Sequence, residues 1–273
     1  MMRSMYSGIS GIRAHQVKMD VVANNIANVN TVGFKASRVT FQEVLNQTIQ
    51  PAFASTGIGE SIGGINAQQI GLGVSVGSID TLMGPTGVQR TDRPFDVSIS
   101  GEGFFLVTDG TDTLYTRAGN FYIDGGDGDS SIGYLVTSTG YKVCNEDGQP
   151  YSFDTADFTN VNIDKGGNIK GINSDGEVEN LGTLTIAKFT NQQGLMKEGN
   201  NLYRATPNSG VVTVGIPGTT GFSSLIPGAL EMSNVDLSQE FTDMIIAQRG
   251  FQANSRVITT SNDMLQELAQ IIR

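Results

Sequence analysis

The chain has 273 residues, of which 38% are hydrophobic and 16% charged, so it is long enough for one large domain or two smaller ones. Its net charge of −10 and pI of about 4.5 lack the basic footprint of a nucleic-acid-binding protein and oppose contact with an anionic membrane surface. One cysteine, Cys144, excludes an intramolecular disulfide and a cysteine metal cluster, and no apolar run is long enough for membrane insertion.

Residues 1–30 have the periodicity of a long amphipathic helix. An apolar column recurs every seven residues and consists of Met5, Ile12, Met19 and Ile26. The second column is mixed and consists of Ile9, Gln16, Ala23 and Asn30. This spacing forms the seam of a coiled coil, so we predict that the helix pairs with another. Gln16 and Lys18 interrupt the apolar core that a cleavable secretion signal needs, so we expect a chain that is soluble or exported by a route that leaves no cleaved signal.

The segment ANNIANVNTVGFK, from Ala23 to Lys35, ends this helix with a concentration of asparagine. Asparagine disfavours a helix interior because its amide competes for backbone hydrogen bonds. We therefore predict Asn28 or Asn30 at the C-cap. Gly33 is predicted to take the positive φ that commonly follows a helix end. The asparagines would thus end the helix without a proline.

Residues 31–90 are rich in glycine and change the character of the chain. The run STGIGESIGGINAQQIGLGVSVGSID predicts extended backbone with few long strands. Its glycine content is compatible with a flexible linker. Its regular Ile, Leu and Val content favours instead an extended connector that packs against another surface.

Residues 91–232 predict an all-β domain. FDVSIS alternates between apolar and polar residues, and GFFLVT, TLYTRAGNFYID and GYLVTSTGYKV are also typical of strands. Turn signals such as ISGEG, TDGTD and NEDGQ follow at short intervals. Many short strands joined by short turns are typical of an antiparallel sandwich or a barrel-like fold.

Residues 233–273 show the clearest helical repeat. Its apolar column consists of Leu237, Met244, Phe251, Ile258, Leu265 and Ile272, beside a second, mostly polar or small column. Ser233 or Asn234 is predicted as the N-cap. The two terminal helices are therefore predicted to pair as a coiled coil, which together with the β region gives an α+β fold class. Ordinary packing of both helices onto the β domain is the alternative.

The sequence offers no catalytic set. His15 is the only histidine and lies far along the chain from Cys144, so neither a Ser-His-Asp nor a Cys-His arrangement is supported. The glycine runs GIGESI and GLGVSV have Ile62 and Val76 where a dinucleotide-binding motif needs its last glycine. We therefore predict that the protein is not an enzyme and has no catalytic residues.

One acidic turn invites comparison with a calcium loop. Asp124, Asp127 and Asp129 cluster in IDGGDGDSS. Their spacing does not match the calcium loop, which needs acidic residues at alternate positions and a late glutamate, so a solvated hairpin turn is favoured. No metal and no cofactor is predicted.

Two terminal runs carry the most specific pattern, MMRSMYSGISGIRAHQVKMDVVANNIANVNTVGFKASRVTF and SNVDLSQEFTDMIIAQRGFQANSRVITTSNDMLQEL. Both closely resemble the rod and hook family of bacterial flagellar axial proteins. SISGEGFFLV, YTRAGNFYID and GYLVTSTGYKV are similar to that family's first β domain. The motif residues are Asn24, Asn25, Asn28, Asn30, Gly33, Phe34, Ser233, Asn234, Asp236, Gln248, Arg249, Phe251 and Asn254. The C-terminal run resembles hook proteins more than distal rod proteins, although the chain is short for a hook protein.

The resemblance implies a structural subunit of the flagellar hook, which polymerises into a flexible tube that transmits motor torque to the filament. It also implies that the paired terminal helices form an inner domain, that the β region forms the outer domain, and that the chain is exported without a cleaved signal peptide. The distal rod, a rigid drive shaft, is the alternative. The implied partners are further copies of the chain, a hook cap, the hook–filament junction protein, the distal rod protein and the flagellar type III export apparatus. The implied location is the extracellular hook or the basal body. A secreted β-rich enzyme or adhesin with helical ends is a rival of another class.

In such an assembly, contacts between identical subunits repeat along the tube. An asparagine amide both donates and accepts, so it can satisfy its own backbone and that of a neighbour. Our hypothesis is that Asn24, Asn25, Asn28 and Asn30 lie at subunit contacts.

Overall fold

The computed structural model describes residues 2–54, 64–125, 132–154, 158–173 and 177–271. Two helices stand at the ends of the chain and antiparallel strands lie between them, so the predicted α+β class is confirmed. The chain divides into two compact units. The helical unit comprises Met1–Ile26, Ser37–Asp80 and Asp236–Arg273, and the β unit comprises Ala27–Ala36 and Thr81–Val235.

The helical unit contains α1 (Met2–Ala27) and α2 (Leu237–Ile271). Their contacts pair rising positions of α1 with falling positions of α2, from Ser4 with Ser261 to Lys18 with Asp243, so the helices are antiparallel. Among the described residues, no helix is both long and apolar enough to cross a membrane.

The same unit contains two consecutive pairs of strands within the residues that we predicted as a connector, and we call them together the ribbon. Its strands are β1 (Ser37–Glu43), β2 (Asn46–Gln50), β3 (Gln68–Gly71) and β4 (Val74–Thr81). β1 pairs with β4, and β2 pairs with β3. A single bridge between Phe53 and Ile65 extends the pairing beyond β2 and β3. Two strands alone cover neither face of a ribbon, so its side chains depend on other surfaces for burial.

In its described residues, the β unit contains seventeen short strands and one 3₁₀ turn at Gln192–Gly194. The strands are β5 (Val88–Arg90), β6 (Val97–Ser100), β7 (Phe104–Thr108), β8 (Thr113–Thr116), β9 (Phe121–Asp124), β10 (Ile132–Thr137), β11 (Lys142–Val143), β12 (Ser152–Asp154), β13 (Phe158–Ile163), β14 (Asn168–Asn173), β15 (Val178–Thr183), β16 (Ile186–Phe189), β17 (Met196–Gly199), β18 (Leu202–Arg204), β19 (Val212–Gly215), β20 (Ser224–Pro227) and β21 (Ala229–Glu231).

The largest sheet of the β unit has the order β12-β10-β11-β7-β8-β18-β17, with β9 beside β10, β16 beside β7 and β19 beside β16. β13, β14 and β15 form a separate three-stranded sheet, and β6–β20 and β5–β21 are separate pairs. Successive side chains of β7 point to opposite faces of the sheet, and both faces are buried. Phe105 and Val107 join one apolar cluster, whereas Phe104 and Leu106 join another. This explains why FFLV is a continuous apolar run rather than an alternating one.

Several sequence predictions fall outside the described residues. They concern Ile62 of the first glycine run, Asp127 and Asp129 of the acidic turn, and Ile272 at the end of the second repeat. Gly33 has φ of +68°, so its predicted positive φ is confirmed.

Candidate assembly site

The two helices approach each other through small residues. A β-carbon added to Gly11 would lie 2.7 Å from Asn254 Nδ2, and one added to Gly8 would lie 3.3 Å from Ile258 Cγ1. A β-carbon on Gly250 would lie 2.5 Å from the His15 ring. Glycine in a helix interior costs about 1 kcal/mol relative to alanine, so three glycines at this contact indicate that close approach is the reason for them.

The predicted apolar columns lie beside this line of closest approach. Met5, Ile12, Met19 and Ile26 are half-buried, and so are Met244, Phe251, Ile258 and Leu265, whereas Leu237 is 39% exposed. The fully buried positions are instead Gly8, Gly11, Ala14, Val22 and Asn25 on α1, and Ala247 and Ser261 on α2. Seven-residue spacing therefore describes the apolar columns but not the fully buried positions, which include the small residues at the closest approach.

His15 is a packed side chain rather than a catalytic base. Its ring lies against Gly250 and makes an edge-on contact with Phe41 at 5.6 Å. Burial, together with the nearby Lys18 charge, lowers the pKa of His15. Its Nδ1 has no hydrogen-bond partner within the described part of the chain. The neutral ring therefore serves the helix contact.

Charged and amide groups join the helices where α1 ends and α2 begins. Lys18 Nζ donates to Asp243 Oδ1 at 2.7 Å, and Asn25 Nδ2 donates to Glu240 Oε1 at 2.9 Å. Burial raises the pKa of Glu240, as does the nearby Asp243 carboxylate, while Asn25 and Lys18 act in the opposite direction. The net direction shows that the Glu240 charge is more costly in the fold than in the unfolded chain.

Replacing Glu240 with glutamine is expected to stabilise the helical unit more at pH 7 than at pH 4. A carboxyl with a raised pKa contributes most stability below its unfolded pKa and loses that contribution as pH rises through its folded pKa. Glutamine keeps an oxygen for Asn25 but does not titrate. Thermal unfolding of both proteins at the two pH values, followed by circular dichroism at 222 nm, measures the difference. An equal effect at both values would contradict the assigned cause.

Asn25 is used entirely inside the subunit. It is 1% exposed, its Nδ2 donates to the Ser37 carbonyl at 2.8 Å, and its Oδ1 accepts from the Ser37 amide at 3.0 Å. With the bond to Glu240, the amide joins α1, β1 and α2. We expected it at a subunit contact, but its donors and acceptor already have partners within the fold. Asn24 and Asn30 are exposed, and Asn28 Oδ1 accepts from the Thr31 hydroxyl at 3.0 Å.

The segment Val32–Ala36 is embedded in the β unit. The Gly33 amide donates to the Glu231 carbonyl at 2.8 Å, and Asn201 Nδ2 donates to the Val32 carbonyl at 2.9 Å. Lys197 Nζ donates to the Lys35 carbonyl at 2.9 Å and lies 5.0 Å from the centre of the buried Phe34 ring. The GFK part of the terminal motif is thus an internal structural element.

Replacing Gly33 with alanine is expected to destabilise the β unit by at least about 1–2 kcal/mol, because its left-handed backbone disfavours any other residue by that amount. The added β-carbon would also lie 2.8 Å from the Ala118 nitrogen, which is backbone and cannot rotate away. Gly87→Ala is the matched control, since its β-carbon would meet no atom within 4 Å. Urea unfolding compares the two. Similar midpoints would contradict the expectation.

A buried ion cluster lies beneath this segment. Lys35 Nζ donates to Glu231 Oε1 at 2.7 Å, and Arg117 Nη1 donates to Glu231 Oε2 at 3.2 Å. The three side chains are 0%, 1% and 3% exposed for Lys35, Arg117 and Glu231. The Thr86 hydroxyl donates to the same Oε1 at 2.9 Å. Burial lowers the pKa of Lys35 even though Glu231 acts to raise it. We name Lys35, Arg117 and Glu231 the ion cluster.

The start of α2 corrects one prediction. Asp236 Oδ1 accepts from the amides of Ser238 and Gln239 at 2.8 and 3.3 Å, so Asp236 is the N-cap rather than Ser233 or Asn234. Asn234 is used elsewhere, because its Oδ1 accepts from the Ala36 amide and its Nδ2 donates to the Leu82 carbonyl.

The other C-terminal motif residues lie on α2 with differing exposure. Gln248 and Arg249 are exposed, and Phe251 and Asn254 are half-buried. The predicted motif therefore combines residues that hold the subunit together with residues that reach its surface.

Large apolar side chains are exposed over much of the helical unit. On the ribbon they are Phe41, Val44, Leu45, Ile49, Phe53, Ile65, Ile70, Leu72 and Ile79. α2 exposes Leu237, Phe241 and Ile245 at four-residue spacing. On α1, Tyr6, Ile9, Arg13 and Val17 line a groove of about 380 Å³ whose other wall is the start of β4. Apolar surface on this scale marks a site of protein association.

Sequence patterns missed the ion cluster. Lys35 lies in the quoted motif but reads as a surface lysine, and Glu231 and Arg117 stand in ordinary polar surroundings along the chain. Positions 35, 117 and 231 are far apart in the chain and are brought together only by the fold. Within the described residues, no group of three or more His, Cys, Asp or Glu side chains could hold a metal ion.

Comparison with known proteins gives three family matches. Residues 5–35 match the family described as flagella basal body rod protein, residues 98–180 match the flagellar hook protein FlgE/F/G D1 domain, and residues 226–271 match the flagellar basal body rod FlgEFG protein C-terminal region. The matches therefore include both terminal helices and part of the β unit.

Individual relatives extend the similarity over the whole chain. The flagellar basal-body rod protein FlgG of Bacillus subtilis is 48% identical, with full coverage of both chains. The protein of the same name from Caulobacter vibrioides is 37% identical, with 99% coverage of each. The flagellar hook protein FlgE of Borreliella burgdorferi is 29% identical over 443 aligned positions, which cover 99% of this chain and all of the relative.

Proposed function

The chain belongs to the flagellar basal-body rod and hook protein family, and from this premise we propose that it is a non-enzymatic structural subunit of the flagellar axis. Identical subunits would polymerise through repeated contacts that cover their exposed apolar surfaces. The main support for this proposal is the exposure of the ribbon's large apolar side chains, which are 39–68% exposed in the single subunit. Burial in a neighbour would contribute about 25 cal/mol for each Å² of that surface.

We further propose that the subunit is of the rod type. Relatives named as rod proteins align over nearly the whole of both chains at 35–48% identity. The hook protein alignments are longer than this chain, at 443 and 466 positions, and so contain segments with no counterpart here. A rod-type subunit would act as a rigid drive shaft.

A hook subunit is the second candidate, and the C-terminal motif supports it. In that position its partners would be the hook cap, the hook–filament junction protein and the distal rod protein. Export through the flagellar type III apparatus is proposed in both cases. The paired terminal helices would form the inner part of the tube and the β unit its outer part. Asn24, Asn28 and Asn30, together with the exposed Gln248 and Arg249, are proposed as subunit-contact residues.

Labelling of isolated hook–basal bodies distinguishes the two candidates. A short epitope inserted after Gly110, in an exposed turn with open space around it, provides an accessible tag. Gold-labelled antibody on the straight shaft would support the rod type. Gold along the curved segment would favour the hook. Absence of gold from both, with the tagged protein detected by immunoblot and the cells motile, would contradict the axial function.

Replacing Leu45 and Ile49 with aspartate is expected to prevent polymerisation. These side chains are 68% and 59% exposed, so the substitutions leave the subunit's own core intact while placing charges in the proposed contact. Loss of each apolar side chain from the contact is expected to weaken assembly by at least about 1.4 kcal/mol. This free energy corresponds to an increase of about tenfold in the critical concentration. Val211→Asp, at an 83% exposed position of the β unit, is the control. Sedimentation of purified subunits measures assembly, and normal polymers from the double variant would exclude the ribbon as a contact.

A further inference from the structure

Two short segments of the β unit lie against each other, one directly after α1 and the other directly before α2. The incoming segment is Ala27–Ala36 and the outgoing segment is Ala229–Val235. The Gly33 amide donates to the Glu231 carbonyl at 2.8 Å, and the Ala36 amide donates to Asn234 Oδ1 at 2.6 Å. Force carried along the chain from α1 or from α2 therefore reaches the β unit through these two segments.

The ion cluster connects both segments to the body of the unit. Lys35 belongs to the incoming segment, Glu231 to the outgoing segment, and Arg117 follows β8. Each Glu231 carboxylate oxygen accepts from one of the two cations, at 2.7 and 3.2 Å. Lys35 Nζ also donates to the Gly84 carbonyl, and Arg117 Nη1 to the Gly101 carbonyl, both at 2.8 Å. One carboxylate therefore joins three parts of the unit.

Thermodynamic stability is a poor explanation for this arrangement. Two buried cations share one carboxylate, so the cluster carries an excess positive charge at the cost of desolvation. Apolar residues of similar shape commonly stabilise such a site equally well or better. The lowered pKa of Lys35 agrees with a net cost of burying its charge.

Resistance to displacement is what the ion cluster offers and an apolar contact does not. Apolar side chains can slide past each other while retaining much of their contact, because burial is non-directional. A short charge-assisted hydrogen bond is directional and, in a dry site, has no water to replace its partner. Its bonds must break before the two segments can separate.

We infer that Lys35, Glu231 and Arg117 form a mechanical clasp, which keeps the incoming and outgoing segments of the β unit together while the assembled axis carries torque. The inference rests on the proposed axial function for its purpose. The clasp itself is a property of the single subunit and can be tested without polymerisation.

Force spectroscopy on the full-length isolated subunit tests the clasp. Handles attached through Asn30→Cys and Ser238→Cys, both exposed positions, pull the two segments apart. The native Cys144 is buried and burial raises its pKa to about 11, so it does not compete for the handles. A second pair of handles at the exposed Thr139 and Asn208 loads the same unit in another direction.

Lys35→Met is the principal variant, because it removes the ionic link between the segments but leaves Arg117 and Glu231 as a neutral pair. At constant force between positions 30 and 238, it is expected to unfold at least about tenfold faster, equivalent to about 1.4 kcal/mol of barrier. Between positions 139 and 208, its unfolding rate should remain close to that of the unchanged protein. Thr86→Val removes one bond to Glu231 and should give a smaller acceleration in the first direction only.

Ile169→Val is the control, since it perturbs a buried residue of the three-stranded sheet without touching the cluster. Its effect on the unfolding rate should not be larger between positions 30 and 238 than between positions 139 and 208. The clasp is excluded if Lys35→Met unfolds at the unchanged rate between positions 30 and 238, or if it accelerates unfolding equally in both directions. If Lys35→Met does not fold, an unchanged rate for Thr86→Val in the first direction would exclude the clasp. Neither result would alter the outcome of the labelling experiment on hook–basal bodies.

Discussion

Replacement of Glu231 with glutamine is expected to destabilise the β unit by about 3–5 kcal/mol, the usual effect of removing one partner from a buried ion pair. Glutamine has one oxygen and one amide nitrogen where the carboxylate has two oxygens. Whichever way the amide is oriented, either Lys35 or Arg117 then faces an N–H group. Both cations are buried, at 0% and 1% exposure, so water cannot replace the lost acceptor.

The same cluster predicts an order of effects. Lys35→Met should destabilise the unit less than Glu231→Gln, because the remaining Arg117–Glu231 pair is neutral. Glu198→Gln is the surface control, since Glu198 pairs with Arg204 where both are about a third exposed or more, and pairs of this kind contribute about 0–1 kcal/mol. Urea unfolding of all three variants gives the order. If Lys35→Met lowered the free energy of unfolding more than Glu231→Gln does, the excess positive charge would not be what determines the stability of the cluster.

Replacement of Gly119 with alanine is expected to prevent the β unit from folding. The added β-carbon would overlap the Val97 carbonyl oxygen and lie 3.2 Å from Phe105 Cε2. The Val97 amide donates to the Gly119 carbonyl at 2.9 Å, so the two backbones cannot separate without breaking that bond. Val97 and Phe105 are both 0% exposed, which leaves no room for relaxation. The loss should exceed about 4 kcal/mol, the range reached only by severe core defects.

Gly125→Ala is the matched control, because its β-carbon would meet no atom within 4 Å. Soluble yield and urea unfolding of the two variants provide the measurement. We expect the control to stay within about 0.5 kcal/mol of the unchanged protein. A folded Gly119→Ala protein with nearly normal stability would mean that the backbones of Val97 and Gly119 are not held together as described.

Periodicity and turn chemistry predicted the main elements from local information alone. α1 and α2 follow from the seven-residue repeats, and the positive φ of Gly33 follows from its position beyond a helix end. GFFLVT was recognisable as a strand from its composition, and the structure adds that both of its faces are covered. Each of these inferences needs only residues close together in the chain.

Non-local contacts could not be predicted in the same way. The repeats identified Met5 and Met244 correctly as recurring apolar positions, but steric fit selected Gly8, Gly11 and Gly250 for the closest approach. The glycine content was also compatible with a linker, although the apolar residues favoured a packed segment, and the strand pairs within residues 37–81 could not be predicted from either. Lys35 and Glu231 are separated by 196 residues, and no pattern along the chain links them.

The buried amide of Asn25 is a position at which chemical damage, in the form of deamidation, would affect the fold of the subunit. Spontaneous hydrolysis of an asparagine side chain converts it to aspartate, which has no donor. At position 25 that change would leave the Ser37 carbonyl without its hydrogen bond and set a carboxylate against the Glu240 carboxylate, now 2.9 Å from the Asn25 nitrogen. Like charges at that distance repel. Hydrolysis at position 25 alone would therefore break the junction of α1, β1 and α2, and because the Asn25 amide is only 1% exposed, burial limits the access of the water that this reaction needs.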